Sequence, residues 1–328
     1  MLDFFTMPFP REPIKLKLLM KMEEKLAEIK ACSPDQATLA KVKEIYGEVF
    51  FPPAPADRPY TIASIIESVD GKIAFMDDQQ GPLIASKNLQ DPDGGFADFW
   101  ILNMLRAYAD GVIIGAKTMQ MEKNMACNCY DAELADARIA KMGKKTYCPT
   151  HIIVSFDGTD IPFEHQIFKL NTQIIIGTST AGQAFTKTLL EREVLELGPF
   201  ASINEVNMDQ IKIDIAENPG KIIVIATGEN GKTDGKVLLY ILRKIGIERL
   251  MIESPSYMTY LMGIDAMDEM FINYSTVFAG GSVGFGAFQH FTTEKHPHSD
   301  FLQINLHKNN FIYTRQKLVY GLNASEER

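Results

Sequence analysis

The pattern of apolar and polar residues divides the chain into a short first part and a long second part. Residues 14 to 31 place apolar side chains at helical spacing among lysines and glutamates, which predicts an amphipathic helix. A Ser-Pro-Asp sequence then interrupts the pattern, and a second helix is predicted over residues 36 to 47. The prolines of residues 52 to 55 predict a stiff connector. We therefore expect residues 1 to 57 to form a helical extension of structural role, followed by one domain over residues 58 to 328.

After the connector, short apolar runs alternate with helical patterns. Strands are predicted near residues 60–67, 111–115, 151–155, 173–177, 221–226, 249–252 and 269–276, and helices over 97–107, 235–244 and 256–264. Such alternation is typical of an α/β protein whose mostly parallel sheet carries helices on both faces. Residues 301 to 306 and 311 to 314 flank a polar turn and predict an antiparallel hairpin at the sheet edge. The chain is thus expected to form a mixed, mostly parallel sheet with flanking helices.

Composition and charge indicate which kinds of molecule the protein binds. The 328 residues are 46% hydrophobic and 23% charged, as in ordinary globular proteins. A net charge of −9, without a basic stripe, disfavours a nucleic-acid partner. The sequence has neither a membrane-length apolar run nor the pattern of a signal peptide, so we expect no membrane partner. These features predict a cytoplasmic protein that acts on a small molecule.

Three cysteines and one histidine need a separate test for metal binding. Cys127, Cys129, Cys148 and His151 could supply four soft ligands to a zinc ion. The alternative is that these residues belong to a loop and to the start of an apolar strand. We favour the second interpretation and expect no metal, because Cys148 and His151 flank the start of an apolar strand and Cys127 and Cys129 lie in a predicted loop.

Seven segments carry a resemblance to a known family. They are residues 68–74 (Ser-Val-Asp-Gly-Lys-Ile-Ala), 105–107, 109–118, 245–247, 250–253, 266–272 and 280–281. In this order and spacing they resemble the reductase domain of riboflavin biosynthesis, a branch of the dihydrofolate-reductase-like proteins, over roughly residues 58 to 320. The resemblance implies a dihydrofolate-reductase-like fold, NADPH as cofactor and a homodimer. It also implies hydride transfer to a carbonyl or imine carbon, as in the reduction of 5-amino-6-(5-phosphoribosylamino)uracil.

The junction of a predicted strand and helix at Gly115 is a candidate cofactor site. Gly115 allows close approach of the backbone to a ligand, Thr118 can donate a hydroxyl, and Lys117 can pair with an anion. The resemblance implies that this turn holds the phosphates of NADPH, with Lys117 near the 2′-phosphate. It further implies that Ile66 lies beside the nicotinamide and that Glu122 contacts a ribose hydroxyl of the cofactor. Without the resemblance, a glycine turn before a helix is a common structural feature.

The resemblance implies that four further residues form the substrate side. Ser68 and Asp70 lie at a turn that ends the first strand of the domain, and Asp70 offers a fixed carboxylate. The arginine at position 106 matches one that grips a ribose phosphate in the related reductases. Glu253 matches a glutamate that faces the substrate, so Asp70 and Glu253 are the candidate catalytic groups. The alternatives are a simple turn at Asp70 and a surface position for Arg106.

Two departures from the family pattern bear on function. Ser254, Pro255, Ser256 and Tyr257 follow the glutamate where relatives carry a glycine pair, although the two serine hydroxyls can donate to a pyrophosphate. Ser64 stands where reductases acting on the pyrimidine ribosyl phosphate commonly carry lysine. The expected function is an NADPH-dependent reductase. The alternatives are a nucleotide-binding protein that kept the fold and lost turnover, or a pterin reductase of the dihydrofolate type.

Overall fold

A sheet of eleven strands forms the centre of the molecule. The computed structural model describes residues 5–33, 35–229 and 231–322. In chain order the strands are β1 Lys17–Lys21, β2 Tyr60–Ser68, β3 Gly111–Gly115, β4 Thr150–Val154, β5 Ile174–Thr178, β6 Val194–Phe200, β7 Ile222–Thr227, β8 Arg249–Glu253, β9 Glu269–Ser275, β10 His298–His307 and β11 Phe311–Val319. Their order across the sheet is β1-β10-β11-β9-β2-β8-β3-β4-β5-β7-β6.

Eight neighbouring strands, from β9 to β6, pair in parallel. Strands β10 and β11 form an antiparallel hairpin, and β11 pairs antiparallel with β9. The centre of the sheet is covered on both faces, so Val112, Ile113 and Ile114 of β3 are all fully buried. Burial of both faces explains why these strands read as continuous apolar runs in the sequence. The mostly parallel sheet and its C-terminal antiparallel hairpin are both confirmed.

Eleven helices among the described residues pack around this sheet. They are α1 Arg11–Ile14, α2 Glu23–Ala31, α3 Ala40–Ile45, α4 Leu83–Ser86, α5 Pro92–Tyr108, α6 Ala116–Met121, α7 Ala132–Ala140, α8 Thr180–Leu189, α9 Met208–Glu217, α10 Gly235–Lys244 and α11 Pro255–Gly263. One core contains buried residues of α3, α5 and α7, and a second core contains those of α9, α10 and α11. None of the helices in the described part of the chain is both long and apolar enough to cross a lipid bilayer.

Helix α5 is the longest of these helices and lies against the sheet. Asp91 accepts a hydrogen bond from the backbone N–H of Gly94, and Pro92 occupies the first helical turn. Both features favour a helix start at this point. Trp100 and Met104 are completely buried, so this face of α5 anchors the helix in the core. The opposite side of α5 faces a cavity described below.

The N-terminal part differs from the sequence prediction at one element. Residues 17 to 21 form β1, which pairs antiparallel with β10 in the register Lys17↔Leu306, so the single helix predicted over residues 14 to 31 is wrong there. Leu18 and Leu19 are 51% and 53% exposed. Pairing with β10 satisfies the backbone of this segment, and this tertiary interaction overrides the helical pattern. Pro34, within the predicted break, lies outside the described residues.

The first 57 residues nonetheless contribute to the main core. Phe9, Ile14 and Val42 are buried in the same cluster as the residues of α5. The ammonium group of Lys41 lies 2.7 Å from the Asp131 carboxylate, and both side chains are buried. The boundary after residue 57 remains a prediction. In the structure, residues on its two sides share one hydrophobic core.

Candidate functional site

A cavity of about 1170 Å³ opens at the carboxyl ends of the parallel strands. Six strands contribute residues, all but Ser64 at or near their carboxyl ends: Ser64 and Ile66 of β2, Gly115 of β3, Val154 of β4, Gly177 of β5, Thr227 of β7 and Glu253 of β8. In open α/β sheets, ligands bind in the crevice outside the carboxyl ends of the strands. The cavity is therefore the candidate active site.

A buried ion pair forms part of the cavity wall. Nε and Nη2 of Arg106, on α5, donate to the two carboxylate oxygens of Glu253, each over 2.7 Å. Nη1 of Arg106 donates to the backbone carbonyl of Asn128 over 3.2 Å. The side chains of Arg106 and Glu253 are 2% and 7% exposed. The Nε and Nη2 groups of Arg106, which the resemblance assigns to a substrate phosphate, are therefore hydrogen-bonded to Glu253 in this structure.

Glu122 lies immediately after α6 and lines the same cavity. Burial raises the pKa of its carboxyl group to about 7. The negative charge of Glu253 raises this pKa further, whereas the positive charge of Arg106 lowers it. Glu122 can therefore hold a proton close to neutral pH, a property that its expected role as a ribose ligand does not require.

Asp98 is a second cavity carboxyl group, and the sequence analysis missed it. Its Oδ1 accepts a hydrogen bond of 2.7 Å from Nδ2 of Asn273, on β9. Burial raises the pKa of Asp98 to about 6, and the Asn273 hydrogen bond opposes this shift. The helical spacing of Asp98, Leu102 and Arg106 was the available signal, because residues four apart lie on one face of a helix.

Two strand-to-helix turns meet in the wall of the same cavity. A Cβ atom on Gly115 would lie 2.7 Å from Oγ and 3.3 Å from Cβ of Ser254, so a larger residue would force Ser254 to shift. The hydroxyl oxygens of Ser254 and Ser256 are 3.3 Å apart. Every residue predicted to bind cofactor lines the cavity: Ile66, Gly115, Lys117, Thr118, Glu122, Ser254, Pro255, Ser256 and Tyr257.

The structure does not bring Ser68 and Asp70 to the cavity wall. Asp70 accepts hydrogen bonds from the Ser68 hydroxyl (2.7 Å) and from the backbone N–H groups of Ala279 (3.0 Å) and Gly280 (2.8 Å). These bonds, that of Ser68 first, lower the pKa of Asp70 to about 2. The two residues hold the loop that carries Val283 into the cavity wall. Their contacts are those of a structural turn, the alternative considered for Asp70.

The cysteines and histidine tested for metal binding are buried. The backbone N–H of Cys127 donates to Nε2 of His151 over 2.9 Å, and Sγ of Cys148 lies 3.7 Å from the other ring nitrogen. Burial lowers the pKa of His151 to about 3, so this ring is neutral at physiological pH. Within the described residues, no group of three or more His, Cys, Asp or Glu side chains is arranged to hold a metal ion.

Met7, from the N-terminal segment, is another lining residue that the sequence analysis missed. Its backbone N–H donates to the carbonyl of Tyr130 over 2.9 Å. The neighbouring Phe9 ring stacks on Phe96 with ring centroids 4.7 Å apart. Phe96 also lines the cavity, so residues before the predicted domain boundary form and support part of its wall. No local sequence pattern indicates this contact.

Two solved structures illustrate the fold. A pyrimidine reductase-like protein from Corynebacterium diphtheriae is 17% identical, with a TM-score of 0.53 over 85% of this chain and 98% of the other. RibD from Acinetobacter baumannii is 14% identical, with a TM-score of 0.52 over 80% of this chain and 59% of the other. At these identities the likeness concerns the fold alone. No curated protein matches the chain.

A family model identifies the relationship at the level of sequence. The model of the RibD C-terminal domain matches residues 59–309, which is most of the chain. This range agrees with the segments that carried the resemblance in the sequence, and the expected family is confirmed. The chain belongs to the RibD C-terminal domain family, and this membership supports an oxidoreductase of the riboflavin-pathway reductase type.

Proposed function

We propose that the chain is an NADPH-dependent reductase that transfers hydride to a carbonyl or imine carbon of a small molecule. One observation carries the proposal. The same cavity is lined by two hydroxyl-bearing turns and by a carboxyl group that can hold a proton near neutral pH. Reduction of a carbonyl or imine group requires both a bound hydride donor and a proton.

The residues at the Gly115 end fit a phosphorylated nicotinamide cofactor. Thr118, Ser254 and Ser256 can donate hydroxyl groups, and the exposed ammonium group of Lys117 can pair with a phosphate. Pro255 removes one backbone donor from the start of α11, so the two serine hydroxyls are the substitute we propose for the glycine pair of the relatives. NADPH, when bound, supplies the hydride.

Glu122 is the group that we propose to donate the proton. A general acid acts best when its pKa lies near the working pH, and burial brings the pKa of Glu122 to about 7. Glu253 is less suited to this role because its two oxygens accept the hydrogen bonds of Arg106. We assign Arg106 and Glu253 to the positioning of the cavity wall and of the charge near Glu122.

The proposal is tested by NADPH binding followed by NADPH oxidation. Calorimetric titration measures binding, and the loss of NADPH absorbance measures oxidation with a panel of carbonyl compounds that includes 5-amino-6-(5-phosphoribosylamino)uracil. The Glu122→Gln variant should bind NADPH normally and oxidise it at least about a hundredfold more slowly, as expected for loss of a general acid. Absence of NADPH binding would overturn the proposal.

A nucleotide-binding protein without turnover is the second candidate. Ser64 lines the cavity at the position where relatives carry lysine, so a cation expected at the substrate side is missing. Tight NADPH binding, with no oxidation by any carbonyl compound offered, would favour this candidate over the reductase.

A further inference from the structure

We infer that the substrate of this cavity is a neutral aromatic carbonyl compound without a phosphate group. The inference rests on the proposed reductase function and concerns only the substrate end, which lies between α5 and Glu122. Three independent properties of this end support it: its charge, its apolar wall and its hydrogen-bonding groups.

Charge is the first property. At the substrate end the cavity lining contains three carboxyl side chains, from Asp98, Glu122 and Glu253, and two more, from Asp160 and Asp234, follow β4 and β7 elsewhere in the lining. Among the described residues the whole lining contains two cationic side chains, from Arg106 and Lys117.

Neither cation is available to a substrate phosphate. Arg106 already donates to both oxygens of Glu253 and to the carbonyl of Asn128. Lys117 belongs to the turn assigned to the cofactor phosphates. Ser64, which also lines the cavity, is uncharged. A phosphate buried without a cationic partner loses its hydration without compensation, which is strongly unfavourable.

The apolar wall is the second property. Met7, Phe96, Phe99, Leu102 and Met125 all line the cavity. Methionine sulfur and phenylalanine rings both make favourable contacts with a flat aromatic ligand. These five side chains offer no strong hydrogen-bond donor or acceptor to the hydroxyl groups of a ribityl or ribosyl chain.

Packing behind the wall holds it in place. The ring of Phe9 stacks on Phe96 at 4.7 Å with an interplanar angle of 8°, and its centroid lies 5.7 Å from that of Phe99. The carbonyl of Phe5 accepts a hydrogen bond of 2.9 Å from Nδ2 of Asn128, the residue whose carbonyl contacts Arg106. The N-terminal segment therefore fixes both the aromatic wall and its distance from the ion pair. Residues 5 to 9 lie outside the range matched by the family model, so Met7 and the packing of Phe9 against the wall come from the segment that precedes the matched domain.

Hydrogen bonding is the third property. Asp98 and Glu122 face the cavity, and burial raises the pKa of each, to about 6 and about 7. At neutral pH Glu122 is protonated in a large fraction of molecules and can donate to a carbonyl oxygen, whereas Asp98 is mostly ionised and accepts from an N–H or O–H group of the ligand. The hydrogen bond from Asn273 fixes the orientation of Asp98. A negative charge on the ligand would be repelled by the carboxylate forms of both groups.

The test compares 4-hydroxyacetophenone with 4-acetylphenyl phosphate, which share the ring and the carbonyl group and differ in the phosphate. Calorimetry measures both affinities at neutral pH, on the free protein and on protein saturated with NADPH. We expect the neutral compound to bind at least tenfold more tightly in both states. Equal or tighter binding of the phosphate ester would overturn the inference. Failure of every compound in a panel of neutral aromatic carbonyls to bind would also overturn it.

A charge variant tests the cause of the preference. Ser64→Lys places a cation in the cavity wall and should improve binding of the phosphate ester about tenfold relative to the neutral compound. Thr188→Lys, which adds the same charge at an exposed position of α8 outside the cavity, should leave the ratio unchanged. Equal effects of the two variants would show that the cavity charge does not set the preference.

The outcome for the substrate class is separable from that for the reductase. Ligand preference is read from binding to the free protein and requires no turnover. Loss of NADPH binding, or binding of neutral ligands without their reduction, would count against the reductase and leave the preference for neutral ligands standing.

Discussion

Arg106 of α5 and Glu253 of β8 share two hydrogen bonds of 2.7 Å inside the cavity wall. The pair connects α5, the helix that carries part of the apolar wall, with the carboxyl end of the central strand β8. It also places a compensated charge beside Glu122, the carboxyl group with a raised pKa. Stability, protonation and ligand choice in this cavity are therefore linked through one ion pair.

Replacement of one member of the pair should destabilise the protein strongly. Arg106→Met leaves the Glu253 charge buried without a partner, and we expect a loss of about 3–5 kcal/mol in the free energy of unfolding. Urea denaturation followed by circular dichroism measures the loss. The double variant Arg106→Met, Glu253→Met removes both charges and should recover much of the stability. A loss below about 1 kcal/mol in the single variant, the range of an exposed ion pair, would contradict the buried pairing.

Glu122 should give a decline of activity with rising pH. Its protonated form is required and its pKa is about 7, so the rate of NADPH oxidation should fall as the pH rises above this value. Comparison of the pH profiles of wild type and Glu122→Gln checks this. In the variant the rate of NADPH oxidation should no longer fall as the pH rises. If the variant keeps the pH profile of the wild type, Glu122 is not the titrating group.

The same carboxyl group should affect stability with a defined sign. The pKa of Glu122 is raised in the folded protein from an ordinary value of 4.5, so the folded state binds the proton more tightly. Its contribution is complete at pH values below the ordinary pKa and is lost as the pH rises towards about 7. Unfolding at a series of pH values should therefore show less loss of stability over this range in Glu122→Gln than in wild type.

Lys117 should select NADPH over NADH. A charge-assisted contact with the 2′-phosphate contributes about 1.5–3 kcal/mol, which corresponds to roughly tenfold or more in affinity. Titration of both cofactors measures the preference. Lys117→Ala should remove it, whereas Lys123→Ala, an exposed lysine outside the cavity, should retain it. Equal affinities of the wild type for the two cofactors would remove Lys117 from the site.

Asp70 should act on a loop rather than on the chemical step. Asp70→Ala removes the acceptor for the N–H groups of Ala279 and Gly280, so these two amides should exchange hydrogen faster in native-state measurements. In the folded protein the pKa of Asp70 is lowered to about 2. The stabilising contribution of its carboxylate is therefore present above the ordinary pKa of an aspartate and is lost as the pH falls from there to about 2. Normal exchange combined with complete loss of turnover would instead indicate a direct catalytic role.

Several elements were predictable because their signals are local. The isoleucine-rich strands read as apolar runs since both faces of the sheet are covered. The Gly115 turn and Glu253 were predictable because the family pattern places recognisable residues at the ends of strands.

Other features depend on contacts between residues that are far apart in the sequence. Leu18 and Leu19 fit a helical pattern, yet β10 pairs with this segment, and Met7 reaches the cavity through a backbone contact with Tyr130. Local periodicity contains no information about such partners.

The pairing of β1 with β10 has a consequence for the order of folding during synthesis. Lys17 of β1 lies opposite Leu306 of β10, so this strand leaves the ribosome long before its partner exists. Long-range strand pairing of this kind is slow because a long stretch of chain must be ordered before the contact forms. Until then, the apolar side chains of the N-terminal segment have no complete core to enter. A ribosome that stalls before residue 298 would release a chain with an unpaired first strand, which is a target for chaperones and a risk for aggregation.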